Sequence, residues 1–126
     1  MDSTFETGKK LVELCRAGKH LEAIKTLYAP NIVSIEAMSS PQMPARIEGL
    51  DAVRKKGEWW EETHEVHGGS VEGPWPHGDR FIVRFKYDVT AKTGPMAGKR
   101  MQLDEAALYT VKNGKVVQEE FFYHMG

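Results

Sequence analysis

A chain of 126 residues is long enough to close one hydrophobic core and too short for two ordinary domains, so a single domain over 1–126 is expected. Seventeen Lys and Arg against eighteen Asp and Glu leave a net charge of −1, and no basic cluster exceeds Arg54-Lys55-Lys56, which argues against nucleic acid or an anionic membrane surface as a partner. The apolar runs are too short to span a bilayer, Asp2-Ser3-Thr4 does not open like a signal peptide, and the lone Cys15 cannot form an internal disulfide. A cytoplasmic location is the expectation, with Cys15 as a packed core thiol.

Phe5, Gly8, Leu11, Val12 and Cys15 recur at three- and four-residue steps, one face of a first helix that Gly18 would end. Leu21, Ile24, Leu27 and Tyr28 repeat the period until Pro30. Because the residue before a proline is pushed out of the helical region, a second helix should close at Ala29. Ile32, Val33 and Ile35 supply β-branched density for a strand that carries Glu36, and 38–46, with Pro41 and Pro44, reads as a loop. Asp51 to His64 returns to a helical period. Trp59 and Trp60 point about 100° apart on it, so at most one faces deeply inward. Gly57 costs about 1 kcal/mol of helix propensity relative to alanine, a sign of a close contact or of an opening beside a pocket.

From Val66 onward the pattern is that of strands. Trp75, in Gly73-Pro74-Trp75-Pro76-His77-Gly78, reads as part of a turn-rich connection capping one end of a sheet. Phe81, Val83, Phe85, Tyr87 and Val89 alternate with Ile82, Arg84, Lys86, Asp88 and Thr90 at the period of two that marks a half-buried strand. Ala91 to Lys99 is the turn into the next one. Met101 to Val111 and Val116 to His124 flank Asn113-Gly114, a hairpin signal because both turn positions need positive φ. Three helices followed mainly by strands predict an α+β domain with helices on one face of a curved, mostly antiparallel sheet.

A two-residue turn at 113 and 114 sets Tyr109 opposite Gln118, Ala107 opposite Glu120 and Glu105 opposite Phe122, while Leu108 meets Glu119 and Ala106 meets Phe121. Each face then mixes apolar and acidic residues. One face should cover the helices and the other a second copy of the chain, so a homodimer through the sheet is expected ahead of a monomer with a partly apolar exterior; a β-bulge would exchange the faces beyond it.

The two opening helices, Leu27-Tyr28-Ala29-Pro30-Asn31 before a strand, Ile47-Glu48-Gly49-Leu50-Asp51-Ala52-Val53 leading a third helix and the terminal Asn113-Gly114-Lys115-Val116 hairpin together resemble the SnoaL-like branch of the ketosteroid isomerase superfamily. The resemblance covers nearly the whole chain. It implies the α+β cone, of cystatin-like form, that this branch shares with nuclear transport factor two. It also places Glu36 where ketosteroid isomerases carry a proton-shuttling aspartate. Their oxyanion-hole tyrosine falls near Leu11 and their protonated aspartate near Ala106 or Ala107, which disfavours steroid isomerisation by that mechanism. SnoaL-type cyclases use an acid on the last strand, and His124 stands near its place.

Glu36 is therefore a candidate general base, its pKa raised by Met38, a tryptophan of the third helix and the aromatics of the sheet. Glu105 and Glu120, on one face with Tyr109, form a candidate acid pair, against the alternative that they pair with Arg84, Lys86 or Arg100 at the surface. Glu36, Glu105 and His124 are the catalytic candidates. Met38, Trp60, His64, Phe85, Tyr87, Tyr109, Glu120 and Phe122 would line a pocket for a small hydrophobic ligand. His64-Glu65-Val66-His67 lacks the four-residue histidine spacing of a helical zinc site, and no phosphate loop or nucleotide fingerprint occurs, so neither metal nor cofactor is expected. The sequence supports either a proton-transferring isomerase, cyclase or hydratase, or a non-catalytic ligand-binding or assembly module of the same fold.

Overall fold

The computed structural model describes residues 3–39 and 44–123. The first helix, α1 (Ser3–Arg16), turns its Gly8, Leu11, Val12 and Cys15 face inward, whereas Phe5, expected on that face, is 39% exposed and Thr4 and Thr7 are buried in the first turns instead; Gly18, at φ 73°, ends the segment. Helix α2 (His20–Leu27) buries Ala23, Ile24 and Leu27. Helix α3 (Leu50–Thr63) buries only Val53 and Gly57, and its other faces are charged. No helix among the described residues is long and apolar enough to cross a membrane.

The strands β1 (Tyr28–Ile35), β2 (Arg46–Glu48), β3 (His64–His77), β4 (Arg80–Ala91), β5 (Arg100–Lys112) and β6 (Lys115–Phe122) form one six-stranded sheet in the order β2-β1-β6-β5-β4-β3. All neighbours are antiparallel except β1 and β6. The helices lie on the inner face, where Leu11, Ile24, Ile32, Val53, Phe81, Val83 and Val116 are all but removed from water. Each such side chain contributes roughly 1.5–3 kcal/mol through burial.

Three boundaries differ from the sequence expectation. Helix α2 stops at Leu27, and Tyr28 and Ala29 already belong to β1, because Tyr28 pairs with Val116 and its side chain is taken up by the sheet. Trp75 lies within β3, directly opposite Ile82. The register shift between Glu72 and Trp75 absorbs the cis Gly73-Pro74 peptide, so the strand runs through the turn-like sequence and leaves Trp75 on the outer face, 52% exposed.

The third difference lies in the last hairpin. Asn113 and Gly114 form the tight turn at positive φ (53° and 76°), with Val111 opposite Val116 as expected. Thr110, however, pairs with Gln118, so Val117 is an extra residue on β6. Beyond this bulge Tyr109 faces Glu119, Leu108 faces Glu120, Ala107 faces Phe121 and Ala106 faces Phe122. Burial follows the same step: Val116, Glu119 and Phe121 are inside, while Phe122 is 49% exposed. The expected pairings of Ala107 with Glu120 and Glu105 with Phe122 are replaced, and Glu120 and Phe122 move to the outer face.

Two helical glycines permit close packing of different kinds. A Cβ on Gly8 would lie 2.9 Å from Pro74 Cβ and 3.1 Å from the Phe81 ring, whereas one on Gly57 would meet the mobile tips of Ile24 and Leu21 at 3.1 Å. Gly8→Ala should lower stability by about 1–3 kcal/mol through overpacking against two stiff neighbours, more than the helix gain of about 1 kcal/mol recovers. Gly57→Ala should stay within about 1 kcal/mol of wild type, since flexible chain ends can give way. Urea unfolding measures both, and equal effects at the two sites would contradict this packing.

Candidate functional site

Strand β1 sends Tyr28, Ile32 and Ser34 to the inner face, with Glu36 just beyond its end, and the parallel neighbour β6 brings Glu119 level with Ser34. The Glu119 carboxylate, 2% exposed, accepts the Tyr28 hydroxyl proton on one oxygen and that of Ser34 on the other, at 2.7 Å. Burial and the adjacent Glu119 hold the Tyr28 phenol well above its ordinary pKa, so Tyr28 stays a donor. On α3, Lys56 reaches across: its Nζ donates to Ser34 Oγ and to Glu36 Oε1, both at 2.7 Å, and stands 5.1 Å from the centre of the Phe121 ring. The seam runs from Tyr28 through Glu119, Ser34 and Lys56 to Glu36. It ends at Tyr123, whose phenol is pushed up to about 12 by burial, by the Glu36 charge and by a hydrogen bond to Glu36, with a backbone bond from Met38 pulling the other way.

Glu105, on β5 opposite Phe85, belongs to the same inner face. Its pKa is raised to about 7, first by burial, then by Glu36, with Lys56 opposing and Glu119 adding to the rise. Among the described residues it has no hydrogen-bond partner. Deeper in, Tyr109 stacks on Phe81 with ring centres 4.9 Å apart, and its fully buried hydroxyl has no partner among the described residues. Burial, Glu119, Cys15 and Glu105 keep that phenol far above its usual pKa, and burial pushes the Cys15 thiol to about 12, so both are neutral at pH 7.

An aromatic row leads outward from Glu105. Phe85 and Tyr87 stand 5.9 Å apart, Tyr87 and Trp60 6.2 Å, and Trp60 stacks on His64 at 4.5 Å, whose Nδ1–H is directed to the Trp60 carbonyl at 2.9 Å. Of the two adjacent tryptophans, Trp60 is the half-buried one and Trp59 is 42% exposed.

The structure thus brings Glu36, Glu105, Phe85, Tyr87, Tyr109, Trp60 and His64 to the inner side. Met38 is 53% exposed just past β1. Glu120 and Phe122 lie on the outer face, so the acid opposed to Glu105 across the interior is Glu119 and the expected Glu105–Glu120 pair does not form. Glu36 is not held in apolar surroundings but by an ammonium group. His124 lies outside the described residues. Arg84 and Arg100 bind Asp104 and Asp88 on the outer face and do not meet Glu105. His67 bonds to Thr90, His64 to Trp60, and among the described residues no three His, Cys, Asp or Glu side chains gather as a metal site. The sequence reading missed Lys56, Ser34 and Tyr28, and left the choice of Glu119 over Glu120 and of Tyr123 over His124 to the register of the last hairpin. Only the position of Lys56 beside Gly57, where α3 comes close to α2, offered a signal.

A helical layer over a mixed sheet with a polar seam on the concave side defines the α+β cone. Residues 3–123 match the family model described as a SnoaL-like domain, and the chain belongs to that family. It is similar to a Mesorhizobium loti protein of known structure named for SnoaL-like polyketide cyclases, with 48% identity, a TM-score of 0.86 and coverage of 94% of this chain and 97% of that one. Two further solved structures share the fold. A nuclear-transport-factor-two-like protein from Burkholderia pseudomallei has 19% identity, a TM-score of 0.78 and coverage of 98% and 92%. A Xanthomonas campestris protein with a cystatin-like fold has 15% identity, a TM-score of 0.75 and coverage of 95% and 89%. No curated protein matches the chain.

Proposed function

We propose that this protein binds a small, largely hydrophobic molecule against the inner face of the sheet and exchanges a proton with it through Glu105. The observation that carries this reading is the placement of Glu105 on the inner face opposite Phe85, with no hydrogen-bond partner among the described residues and with burial and Glu36 raising its carboxyl to about 7. A group that holds its proton about half the time near neutral pH can act as acid or base without a large free-energy penalty in either direction. Burial is the largest cause of that rise, and the half-buried rings of Tyr87, Trp60 and His64 favour an apolar ligand body beside it. The reaction class is isomerisation, cyclisation or hydration and dehydration: Glu105 takes a proton from one ligand atom and returns it to another, and Glu36, paired with Lys56, stays in place.

A thermal-shift panel of aromatic ketones, lactones and polyketide-like compounds identifies the ligand, since binding to the native state raises its melting temperature. With that ligand, Glu105→Gln should abolish turnover while leaving the fold intact. If Glu105 is the base, turnover should rise with pH up to about 7 and level off, falling about tenfold per unit below, because only the deprotonated carboxylate accepts a proton. A fully active Glu105→Gln variant removes this residue from the mechanism, and ligand binding without turnover leaves a binding module.

We also propose that the outer face of the sheet joins a second copy of the chain. Register aligns Ile82 with Leu108 and Trp75, and Ala106 with Phe122, while Trp75, Ile82 and Phe122 are 52%, 43% and 49% exposed. Such an apolar stripe favours association. Light scattering at micromolar protein should give twice the chain mass, and Ile82→Glu should halve it. A monomeric wild type would retire the dimer.

A further inference from the structure

The side chain of Lys56 is 12% exposed, against 68% for Lys55 beside it. Withdrawing an ammonium from water is unfavourable by several kcal/mol unless its surroundings compensate, and a neutral side chain of similar length would avoid that cost. The compensation here is specific: Glu36 receives one N–H of Lys56 directly, and Ser34 receives another while passing its own hydroxyl proton to Glu119. Two of the three inner carboxyls are therefore tied to the ammonium, one directly and one through a hydroxyl. Both oxygens of Glu119 are occupied, by Tyr28 and Ser34. Glu105 is left outside the seam.

We propose that Lys56 is a positioning residue that, by holding Glu36 directly and Glu119 through Ser34, assigns the exchangeable proton of the site to Glu105. This rests on the reading of Glu105 as the proton-transferring group and adds what selects it. The electrostatic ordering agrees. Glu36 and Glu119 both push the Glu105 carboxyl toward its protonated form, and Lys56 is the cation that opposes them. The other groups facing the seam do not compete near neutral pH. On β4 and β5 the Tyr87 and Tyr109 phenols are raised, as is Cys15 on α1, and Tyr123 stands at about 12. On α2, His20 is pushed down by burial and by Lys56 against the pull of Glu119 and Glu61, which favours its neutral form. Removing the ammonium should therefore raise the Glu105 midpoint, because the acid keeps both neighbouring carboxyls and loses the cation that opposes them among the described residues.

The test is a carbon-13 NMR titration of the full chain labelled at glutamate carboxyls, with Glu105 assigned by loss of its signal in Glu105→Gln. The wild type should show a Glu105 midpoint of about 7. Lys56→Met and Lys56→Gln should each raise it by about 1 unit or more, and Lys56→Arg, which keeps the charge, should return it to within about 0.5 unit of wild type. A purely structural lysine would not produce that pattern, since glutamine retains a donor to Glu36 and Ser34 and still lacks the charge. Midpoints within about 0.3 unit of wild type in Lys56→Gln would overturn the proposal, as would a shift of about 1 unit in Lys56→Arg or persistence of the near-neutral titration in Glu105→Gln. No ligand is needed. A folded protein that turns nothing over yet shows the shifts would sink the functional reading alone, and one that is active without them would sink only the role of Lys56.

Discussion

The buried carboxylate of Glu119 is the constraint around which the rest of this domain is arranged. An ionised carboxyl taken out of water is among the least favourable groups to place in a protein interior unless its oxygens are matched by donors. Here both oxygens are matched by hydroxyls of one neighbouring strand, Tyr28 and Ser34. That requirement explains several local features together. Tyr28 leaves the helix it could have continued, β1 runs parallel to β6 in an otherwise antiparallel sheet, and Val117 bulges so that residue 119 and not 120 turns inward.

Charge then determines chemistry. Among the described residues the Lys56 ammonium leaves the inner carboxyls unequal: Glu36 is paired with it, Glu119 has a donor on each oxygen, and Glu105, raised first by burial, meets the other two as repulsion. Burial beside like charges is how a fold raises the proton affinity of an acid such as Glu105. The same bulge that brings Glu119 inside sends Glu120 and Phe122 out, so one extra residue both builds the polar seam and adds an apolar side chain to the outer face.

Much of this architecture was legible from periodicity. The three- and four-residue steps from Gly8 to Cys15 in α1, the alternation of Phe81 through Val89 and the Asn113-Gly114 turn each reflect a single local rule that tertiary packing did not override. The family resemblance, carried by the opening helices, the segments at 27–31 and 47–53 and the terminal hairpin, agrees with the SnoaL-like match. The site was less legible. Glu36 and Glu105 are visible as acids among apolar neighbours, but no pattern distinguishes Val116-Val117 as a bulge from the same pair in a regular strand. An error of one residue there exchanges Glu119 with Glu120. Lys56 was hidden because a lysine on a charged helix reads as solvated, and only the close approach of α3 at Gly57 lets it reach β1. Trp75 misled for the opposite reason: glycine and proline around it signal a turn, while pairing with β4 carries the strand through.

The claim that Glu119 is the interior acid is tested most directly by comparing urea unfolding of Glu119→Ala and Glu120→Ala at pH 7. The account predicts that Glu119→Ala loses about 1–3 kcal/mol for each hydroxyl left without an acceptor, whereas Glu120→Ala stays within about 0.5 kcal/mol of wild type. Equal losses, or a larger loss at position 120, would contradict it.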